Sequence, residues 1–460
     1  MGFEQITGLL LPTQRHISEW FRSLESRPVR ATTTADELRK ALGGPLPEDG
    51  GSADEVTELL AKFGMTGTVA SAGPRYFGFV VGGSLPAAVA ADWLVSAWDQ
   101  NAGIFALSPL ASVVEQIAGS WLKELAGLPA SMSFGFVTGG HMANFTALAA
   151  ARHRVLRNAG WDVESNGLFG APPIDVFVSE EAHYTISTGL RLLGLGSERV
   201  RRIATDHQGR MRADELAVFV RGGKGPCIIS AQAGNVNTGA FDPLTEIAEI
   251  AQDRRAWLHV DGAFGLWAAA SDAHAGLVHG IERADSVASD AHKWLNVPYD
   301  CGLVFCADAV AHSSAMSVTA AYIVATGGER DPHNFVPEES RRARGLPVFA
   351  ALRSLGRHGF RELIDRNCRQ ARRFASALRD AGFEVLNDVQ LNQVLVSFGT
   401  PDQTLRTIAA IQEDGTCWCG GTTWKGMTAM RISVANWSTT DEDVERSIDA
   451  IVRAARACKT

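Results

Sequence analysis

Short apolar runs alternate with amphipathic segments through the middle of the chain, from about residue 84 to 320. The runs IDVFVS, CIISAQA and AWLHVD have the length and composition of strands, whereas PLTEIAEIAQDR and AHYTISTGLRLLGLG repeat apolar residues at helical spacing. Strands that alternate with helices predict an α/β fold with a mainly parallel sheet covered on both faces. In such sheets, ligands bind beyond the carboxyl ends of the strands.

The two ends of the chain follow other patterns. Residues 1–75 look helical, and Ser52 and Glu55 have capping-box spacing ahead of an apolar i, i+3, i+4 pattern. After residue 345, a long amphipathic helix ends at Gly382, and an α+β succession of short strands and helices follows. These changes predict three parts: an N-terminal helical segment over 1–75, a large domain over 76–340 and a small C-terminal domain over 341–460. The helical segment is an arm that packs on another subunit or a surface layer on its own chain.

The composition is that of a globular protein, since 46% of the 460 residues are apolar and 20% are charged. The formal net charge is −8 with acids and bases intermixed, so no basic stripe indicates nucleic acid or an anionic membrane as partner. No apolar run reaches the ~18 residues of a membrane span. The N-terminal stretch lacks the basic region of a signal peptide. We therefore expect a cytoplasmic protein whose ligands are small molecules or proteins.

Seven cysteines are scattered without a CxxC pair, and the nearest two, Cys417 and Cys419, have no histidine close by. This spacing favours reduced thiols over a disulfide framework or a zinc site. We therefore expect no metal ion.

Four features carry side chains that could do chemistry, and each follows a predicted strand or begins a predicted helix. The first is TGGHMANF, in which Gly139 and Gly140 come after the apolar FGFV and before a helix. The backbone N–H groups of Gly140 and His141 would then face an anion at the helix N-terminus. A glycine pair that only makes a turn is the alternative.

The second and third features each place one polar residue at a strand end. His183 in EEAHYT comes just beyond IDVFVS, where an imidazole stacks on a planar ligand, acts as acid or base, or merely begins a helix. Asp261 in AWLHVDGAFG closes a strongly apolar strand, where a carboxylate is costly unless it meets a cation. Ala263 is small enough for a flat group to lie close. An aspartate that caps the next helix is the competing interpretation.

The fourth feature is SDAHKWLNVPYDCG, which places Lys293 after His292 and between the predicted strands SVASD and CGLVFCAD. A solvated loop lysine is one interpretation. The other is a lysine sequestered because its amine is a nucleophile for a carbonyl carbon.

Together, the four features contain the protein groups that pyridoxal 5'-phosphate requires. They are a phosphate-binding turn, a stacking histidine, a buried aspartate and a nucleophilic lysine. In this interpretation Lys293 forms a Schiff base with the cofactor, and Asp261 keeps the pyridine nitrogen protonated so that the ring accepts electrons.

The stretches HVDGAFG, ADSVASDAHKWLNVPYDCG, GNVNTGAFDP and EEAHYTIS together resemble the group II pyridoxal-phosphate-dependent amino-acid decarboxylases, which include the aromatic-L-amino-acid and glutamate decarboxylases. The resemblance covers about residues 70–440. It implies the aspartate-aminotransferase-like fold of type I pyridoxal-phosphate enzymes. It also implies a homodimer with active sites at the subunit interface and an N-terminal segment that wraps the partner. The implied activity is decarboxylation of an L-amino acid to an amine and CO₂.

Carried over by motif, the resemblance gives catalytic roles to Lys293, the Schiff-base lysine, and to His183, which would stack on the cofactor ring. Asp261 would pair with the pyridine nitrogen and Ala263 would lie on the opposite face of the ring from His183. The amides of Gly140 and His141 would hold the phosphate with His292 nearby, and Asn235 would lie near the 3'-hydroxyl. The cofactor-binding residues implied are therefore Gly140, His141, His183, Asn235, Asp261, Ala263, His292 and Lys293.

Two departures from the family pattern stand out. The family commonly has Asn two residues before the His-Lys pair, where this chain has Asp290. Because a carboxylate and a phosphate repel each other, we expect Asp290 to point elsewhere. The aromatic decarboxylases also carry a loop tyrosine that reprotonates the substrate carbon, whereas no tyrosine follows Tyr322 here. His333 or water could replace it; otherwise the chain is a decarboxylating aldehyde synthase that uses oxygen, or a relative that does not decarboxylate.

The substrate pocket is expected, by analogy with the family, to be lined by GPRYFGF and DQNAGIFALSP. The aromatic residues of these stretches suit an aromatic amino acid or, equally, belong to the core, and the polar ones suit an acidic or polar amino acid. The aromatic candidates are Tyr76, Phe77, Phe79 and Phe105, and the polar candidates are Arg75 and Asn101. We favour an aromatic substrate slightly over an acidic one.

Overall fold

The computed structural model describes residues 3–317 and 328–459. Three helices come first: α1 (Phe3–Ser23), α2 (Ala35–Leu42) and α3 (Ala53–Gly67). The Ser52 hydroxyl accepts from the Glu55 amide and the Glu55 side chain returns to the Ser52 amide, so the predicted capping box is present. Neither α2 nor α3 buries a residue against the rest of the chain.

A seven-stranded sheet forms the centre of the molecule. Its strands are β1 (Ser133–Val137), β2 (Asp175–Ser179), β3 (Arg201–Ile203), β4 (Cys227–Gln232), β5 (Trp257–Asp261), β6 (Ser286–Asp290) and β7 (Gly302–Cys306). Their spatial order is β1-β7-β6-β5-β4-β2-β3, and β7 alone runs antiparallel to both of its neighbours. The prediction of a mainly parallel sheet is confirmed.

Helices cover both faces of this sheet. They are α4 (Pro86–Trp98), α5 (Pro109–Leu125), α6 (Gly140–Asn158), α7 (Val163–Asn166), α8 (Tyr184–Leu192), α9 (Ala213–Arg221), α10 (Leu244–Arg254) and α11 (Ala309–Met316). Alternate strand residues enter two different apolar clusters. On β2, for example, Phe177 belongs to one cluster, while Val176 and Val178 belong to the other. Both faces of the sheet are therefore buried, as the unbroken apolar runs predict.

The C-terminal part is a small α+β layer. It consists of α12 (Gly345–Asp380), β8 (Glu384–Val385), β9 (Gln393–Ser397), α13 (Pro401–Asp414), β10 (Gly420–Trp424), β11 (Met427–Ser433) and α14 (Asp441–Ala457). Its four strands pair antiparallel in the order β10-β11-β9-β8. The pattern did not predict β10, an edge strand that begins with two glycines followed by two threonines. Such a composition carries little strand propensity of its own.

The long helix α12 begins earlier than its amphipathic pattern predicts and breaks once, at Gly356, where φ is 60°. Its residues up to Cys368 pack into the large apolar cluster, and those from Ala371 onward pack into the cluster of the small sheet. The proposed boundaries at 75/76 and 340/341 remain predictions. Within the described ranges, no helix has the length and apolarity needed to span a membrane.

Candidate active site

The carboxyl ends of β1, β2, β5 and β6 meet at one edge of the large sheet. Because β1 is antiparallel to β7 and β7 is antiparallel to β6, β1 runs in the same direction as β6. Asp261 is the last residue of β5, and Asp290 is the last residue of β6. Gly140 follows β1 and His183 follows β2. The four features singled out in the sequence therefore lie on the same edge, where α/β sheets bind ligands.

Lys293 is anchored by its neighbours. Trp294 is completely buried and its indole N–H donates to Oδ1 of Asn367 at 2.9 Å, which fixes the backbone beside the lysine. On the other side, a Cβ on Gly82 would overlap the Lys293 carbonyl oxygen, so only glycine permits this approach. The lysine side chain is 22% exposed, and its Nζ lies 2.7 Å from Oδ2 of Asp290. Lys293 is therefore not a freely solvated loop residue.

Asp290 occupies the turn predicted to hold an anion. The N–H of Gly140 donates to Oδ1 of Asp290, and a Cβ on Gly140 would lie 2.6 Å from Oδ2. The Asp290 side chain is 2% exposed. The expectation that Asp290 points elsewhere is therefore wrong. The physical reason is that a buried carboxylate needs donors, and the helix terminus and Lys293 supply them.

His292 is the third donor next to this carboxylate. Its Nδ1 accepts from the Cys301 backbone N–H at 3.1 Å, so the proton of the neutral ring is on Nε2, which lies 3.3 Å from Oδ1 of Asp290. Burial lowers the pKa of His292, which keeps the ring neutral near pH 7. The ring packs against Tyr299, with 4.4 Å between ring centroids.

Asp261 is held by two donors at the end of β5. Its Oδ1 accepts from the backbone N–H of Ala263 at 3.1 Å, and its Oδ2 accepts from Nδ2 of Asn144 at 3.0 Å. The same Nδ2 lies 3.2 Å from the hydroxyl of Thr185, which in turn lies 2.9 Å from Nδ1 of His183. Asn144 and Thr185 therefore connect Asp261 with His183. The sequence predicted that these two residues contact the same cofactor ring.

Behind Asn144, a chain of buried groups continues into the sheet. Oδ1 of Asn144 lies 2.9 Å from Nε2 of His259, whose Nδ1 lies 3.0 Å from the Ser286 hydroxyl. The Trp257 indole N–H donates to this hydroxyl at 2.8 Å. Burial lowers the pKa of His259 to about 4, so the imidazole is neutral near pH 7. Since the Asn144 oxygen can only accept, Nε2 carries the proton, and every bond in the chain points its donor toward Asp261.

The charged groups of this sheet edge affect the pKa of His183. Burial is the main cause that lowers the pKa of His183; Lys293 and Arg431 lower it further, while Asp261 and Asp290 oppose the shift. The imidazole is therefore neutral near pH 7, which suits stacking. It begins α8, and its ring centroid lies 4.4 Å from that of Tyr184, which is 71% exposed.

The remaining predicted site residues make the following contacts. His141 has a buried Nε2 without a hydrogen-bond partner among residues 3–317 and 328–459. The carbonyl of Ala263 accepts from the Asp290 N–H at 3.0 Å, so this residue joins the ends of β5 and β6. Oδ1 of Asn235 accepts from the N–H groups of Asn237 and Thr238, so this side chain stabilises a turn. The role of Asn235 toward a cofactor remains a prediction.

These groups fit pyridoxal phosphate. A carboxylate already stands among the donors predicted for the phosphate, and a second carboxylate, Asp261, is held ready for a cationic ring nitrogen. A neutral histidine lies within the field of both carboxylates and of the lysine amine. The residues that would hold the cofactor are thus assembled on one edge of the sheet.

Two of the proposed substrate-pocket residues are buried within the fold. Arg75 is 2% exposed and bonds to Asp443 at 3.2 Å and to the carbonyls of Thr416 and Glu25. Phe77 is 1% exposed and packs edge-on against Phe374 in the core of the small sheet. For Phe77 the structure therefore supports the alternative that it belongs to the core, and the bonds of Arg75 join it to the C-terminal part of the fold.

The other pocket candidates differ in burial and in the contacts that they make. Asn101 accepts from the N–H groups of Gly103 and Arg341 and donates to Ser340, so it fastens the segment around residue 340. Tyr76 is buried and stacks on Trp418 at 5.0 Å. Phe79 is 63% exposed and lies 5.6 Å from the same indole. Phe105 is half-buried.

His333, a candidate proton donor, is buried, and its Nδ1 lies 3.4 Å from Oε2 of Glu339. Its role remains a prediction. Tyr322 lies outside the described residues.

Sequence reasoning missed three residues of this edge: Asn144, Thr185 and Arg431. Asn144 follows Gly140 by four residues and so shares its helix face, a signal that the spacing contained. Thr185 is two residues after His183 in the motif already noted. Arg431 lies on a strand of the small sheet; its Nη1 donates to the Val236 carbonyl at 3.1 Å. Nothing local in MRISVAN indicated that this arginine reaches the edge of a different sheet.

Comparisons with known proteins concern the family and the fold of the chain. Residues 36–400 match the family described as the pyridoxal-dependent decarboxylase conserved domain. An aromatic-L-amino-acid decarboxylase of Bacillus atrophaeus is 30% identical over 446 residues, which are 93% of this chain and 91% of the relative. An L-2,4-diaminobutyrate decarboxylase of Rhizobium meliloti is 32% identical over 81% of this chain and 76% of its own length.

The fold is also similar to that of solved structures. The crystal structure of Oryza sativa TDC with PLP and tryptamine superposes with a TM-score of 0.92 at 22% identity, covering 99% of both chains. Matches of this extent, over more than half of the sequence and nearly the whole fold, place the chain in one family. This protein belongs to the pyridoxal-dependent decarboxylases, the group II enzymes that use pyridoxal phosphate to decarboxylate amino acids.

Proposed function

We propose that the protein decarboxylates an aromatic L-amino acid to the corresponding amine and CO₂, and that Lys293, Asp261 and His183 carry the reaction. Family membership makes it a pyridoxal-phosphate-dependent carbon–carbon lyase that acts on an amino acid. The substrate, the product and the residue roles are the proposal. The observation that carries it is a shared sheet edge, on which Asn144 and Thr185 link Asp261 to the half-buried His183 and Nζ of Lys293 lies 2.7 Å from Asp290.

Each residue of the sheet edge has a proposed task in binding the cofactor. Lys293 attaches the cofactor through its amine, and Asp261 holds a proton on the pyridine nitrogen. His183 and Ala263 would hold the ring from its two faces. The N-terminus of α6 at Gly140 and His141, together with His292, receives the phosphate. The buried, unpartnered Nε2 of His141, noted above for the described residues, supports an anion at this position.

The bound cofactor supplies an electron sink for the electron pair that remains on Cα when CO₂ leaves. Asp261 is ready for this role before substrate arrives, because Ala263 and Asn144 fix both of its oxygens. Prealigned charge of this kind stabilises a transition state without a reorganisation cost. Neutral His183 adds no competing positive charge beside the ring. Arg431, whose Nε is buried and unpartnered within the described chain, is the proposed contact for the substrate carboxylate.

The preference for an aromatic substrate rests on the bonds that the polar pocket candidates already make within the fold. Arg75 is buried and paired with Asp443, and Asn101 bonds to the segment around residue 340, so both are engaged within the fold. Phe79 remains largely exposed beside Trp418. The Bacillus relative, named for aromatic substrates, is similar over nearly the whole chain. The diaminobutyrate relative keeps a polar amino acid as the competing substrate.

We also propose that the protein is a homodimer, with the N-terminal helices wrapping the partner. Large apolar side chains are exposed along α1, on α4 and around α5. They include Leu10, Leu11, Trp93, Leu94, Trp98, Leu107, Leu110, Val113 and Ile117. Many large exposed apolar side chains on neighbouring stretches of the chain support an interface at these helices. The absence of buried residues on α2 and α3 within the described chain supports the same assignment. A cytoplasmic location remains a prediction from the sequence.

The second candidate is a decarboxylating aldehyde synthase. It is favoured by the absence of any tyrosine after Tyr322 in the sequence. The overall reaction would consume O₂ and water and release aldehyde, CO₂, ammonia and hydrogen peroxide. If the amine forms instead, a proton must return to Cα, from His333 or from water.

A panel of L-amino acids tests both candidates on purified protein loaded with pyridoxal phosphate. CO₂, amine, aldehyde and dissolved oxygen are measured in the same samples. Amine and CO₂ in equal amounts without oxygen uptake support the proposed reaction. Oxygen uptake that matches CO₂ release supports the aldehyde reaction. Absence of CO₂ with every amino acid overturns both.

A further inference from the structure

The carboxylate of Asp290 occupies the position of an anion ligand at the start of α6. The backbone N–H of Gly140 donates to it, and Nε2 of His292 and Nζ of Lys293 lie 3.3 Å and 2.7 Å from its oxygens. With a side chain 2% exposed, Asp290 depends on these groups rather than on water to compensate its charge.

The geometry around this carboxylate is built for close approach. A Cβ on Gly140 would lie 2.6 Å from its Oδ2, and a Cβ on Gly139 would lie 3.2 Å from the His292 ring. His292 is oriented by the Cys301 N–H, which leaves its Nε2 proton for Asp290. These features make a receptor for one anionic group, and Asp290 fills it.

The cofactor brings a second anion to the same donors. A phosphate at the α6 terminus needs the Gly140 N–H and a neighbouring cation, and the cofactor aldehyde needs the Lys293 amine free of its ion pair. Two anions within van der Waals distance in a buried site repel each other strongly. The carboxylate and the phosphate therefore cannot hold the same donors at once.

We propose that the Asp290 carboxylate is an internal anion that competes with the cofactor phosphate for the Gly140 N–H and with the cofactor aldehyde for Lys293. On arrival of the cofactor, the phosphate takes the Gly140 N–H, and the carboxylate rotates away and releases Lys293. Asp290 thereby lowers the affinity of the enzyme for the cofactor, because part of the binding energy of the phosphate is used to displace the carboxylate. This holds whether the enzyme forms an amine or an aldehyde.

The test compares two cofactor forms that differ only in the phosphate. Full-length wild type, D290N and D290A are stripped of cofactor and titrated with pyridoxal phosphate and with pyridoxal, and binding is followed by visible absorbance. Release of Lys293 affects both forms, so the informative quantity is the ratio of their affinities. We expect this ratio to rise at least about tenfold in both variants, which corresponds to 1.4 kcal/mol.

The two variants separate removal of a charge from gain of a donor. Asparagine can donate to a phosphate, whereas alanine cannot. A ratio that rises in D290N only would assign the effect to the new amide donor and overturn competition, as would a ratio that stays constant or falls in both. D272N is the matched control: Asp272 is a side chain 82% exposed that pairs with Arg361, and its removal should leave the ratio unchanged.

A crystal structure of the wild-type enzyme with bound pyridoxal phosphate gives a readout that needs no variant. Competition requires that the Gly140 N–H donates to the phosphate and that Asp290 has left both Gly140 and Lys293. An Asp290 carboxylate still bonded to Gly140 beside a bound phosphate contradicts the proposal, including the case in which the variants do not fold.

Discussion

Asn144 donates from Nδ2 to Oδ2 of Asp261 at 3.0 Å, and its own Oδ1 is held by His259 at 2.9 Å. The amide therefore cannot turn over without placing its oxygen against a carboxylate and its NH₂ against an N–H. Its orientation fixes that of Asp261, the group proposed to meet the pyridine nitrogen. Asn144 is thus a positioning residue that acts through Asp261.

Substitution of Asn144 by Ala should lower kcat about 10- to 100-fold with a small change in KM, which is the scale seen when an outer-shell partner of a functional ligand is lost. Because Asp261 would lose one donor, the visible absorption spectrum of the bound cofactor should also shift. Steady-state kinetics and absorbance check both. N158A, which alters an exposed asparagine at the end of the same helix, is the control. Equal kinetics and spectra for N144A and wild type would remove Asn144 from this role.

Arg431 to Lys should raise KM for the substrate about 10- to 100-fold, since a charge-assisted hydrogen bond contributes ~1.5–3 kcal/mol and lysine cannot reproduce the planar fork of arginine. Burial lowers the pKa of the Arg431 guanidinium, which pairs with no carboxylate among residues 3–317 and 328–459. The measurement is the dependence of initial rate on amino-acid concentration. The control is R406K, at an arginine that is 52% exposed and pairs with Asp402. An unchanged KM together with a reduced kcat would place Arg431 in a different step.

Lys293 to Ala should abolish covalent attachment of the cofactor and lower kcat at least about a thousandfold, the scale of losing a covalent nucleophile. Mass spectrometry after borohydride reduction detects the attached cofactor directly. K224A, which removes an exposed lysine, should retain both attachment and activity. Attachment at another lysine in K293A would contradict the assignment.

The buried His259 makes the protein less stable in acid. Its pKa falls from 6.5 to about 4 on folding because burial disfavours the charged ring. Between these values the unfolded chain binds a proton that the native chain does not, so the contribution is complete above pH 6.5 and is lost as pH falls toward 4. The loss amounts to about 3 kcal/mol.

The H259Q variant isolates this effect from opposing groups such as Asp242, whose pKa burial raises to about 7. The difference in free energy of unfolding between wild type and H259Q should move in favour of the variant by roughly this amount on acidification, since glutamine binds no proton. Denaturant titrations at pH 7 and pH 4.5, at one protein concentration, provide the measurement. A difference independent of pH would show that His259 is not the group responsible.

The sequence predicted the part of the site that lies in local motifs. Lys293, Asp261, His183 and Gly140 each follow a strand, and parallel strands deliver their ends to a common edge whatever the distance along the chain. The part of the site that the sequence did not predict depends on the direction of side chains and on contacts with segments that are distant in the sequence. Asp290 was expected to avoid the phosphate subsite because repulsion was considered without the donors that attract it.

The contacts of two pocket candidates could not be predicted for a related reason. Arg75 and Phe77 adjoin exposed Phe79, and their local sequence carries no trace of Asp443 or Phe374, more than two hundred residues further along the chain. Burial by a distant element decides whether such a residue binds substrate or stabilises the fold. Composition and periodicity cannot show this.

One unbroken stretch of α12 after Gly356 serves two apolar interiors. Phe360 and Ile364 pack into the large apolar cluster, and Phe374 and Leu378 pack into the cluster of the small sheet, along the same helix. A fragment cut at residue 341 would therefore carry away side chains whose partners stay behind, and water would reach both halves. The large and small parts of this enzyme should consequently melt together in one cooperative transition, although each has a sheet of its own.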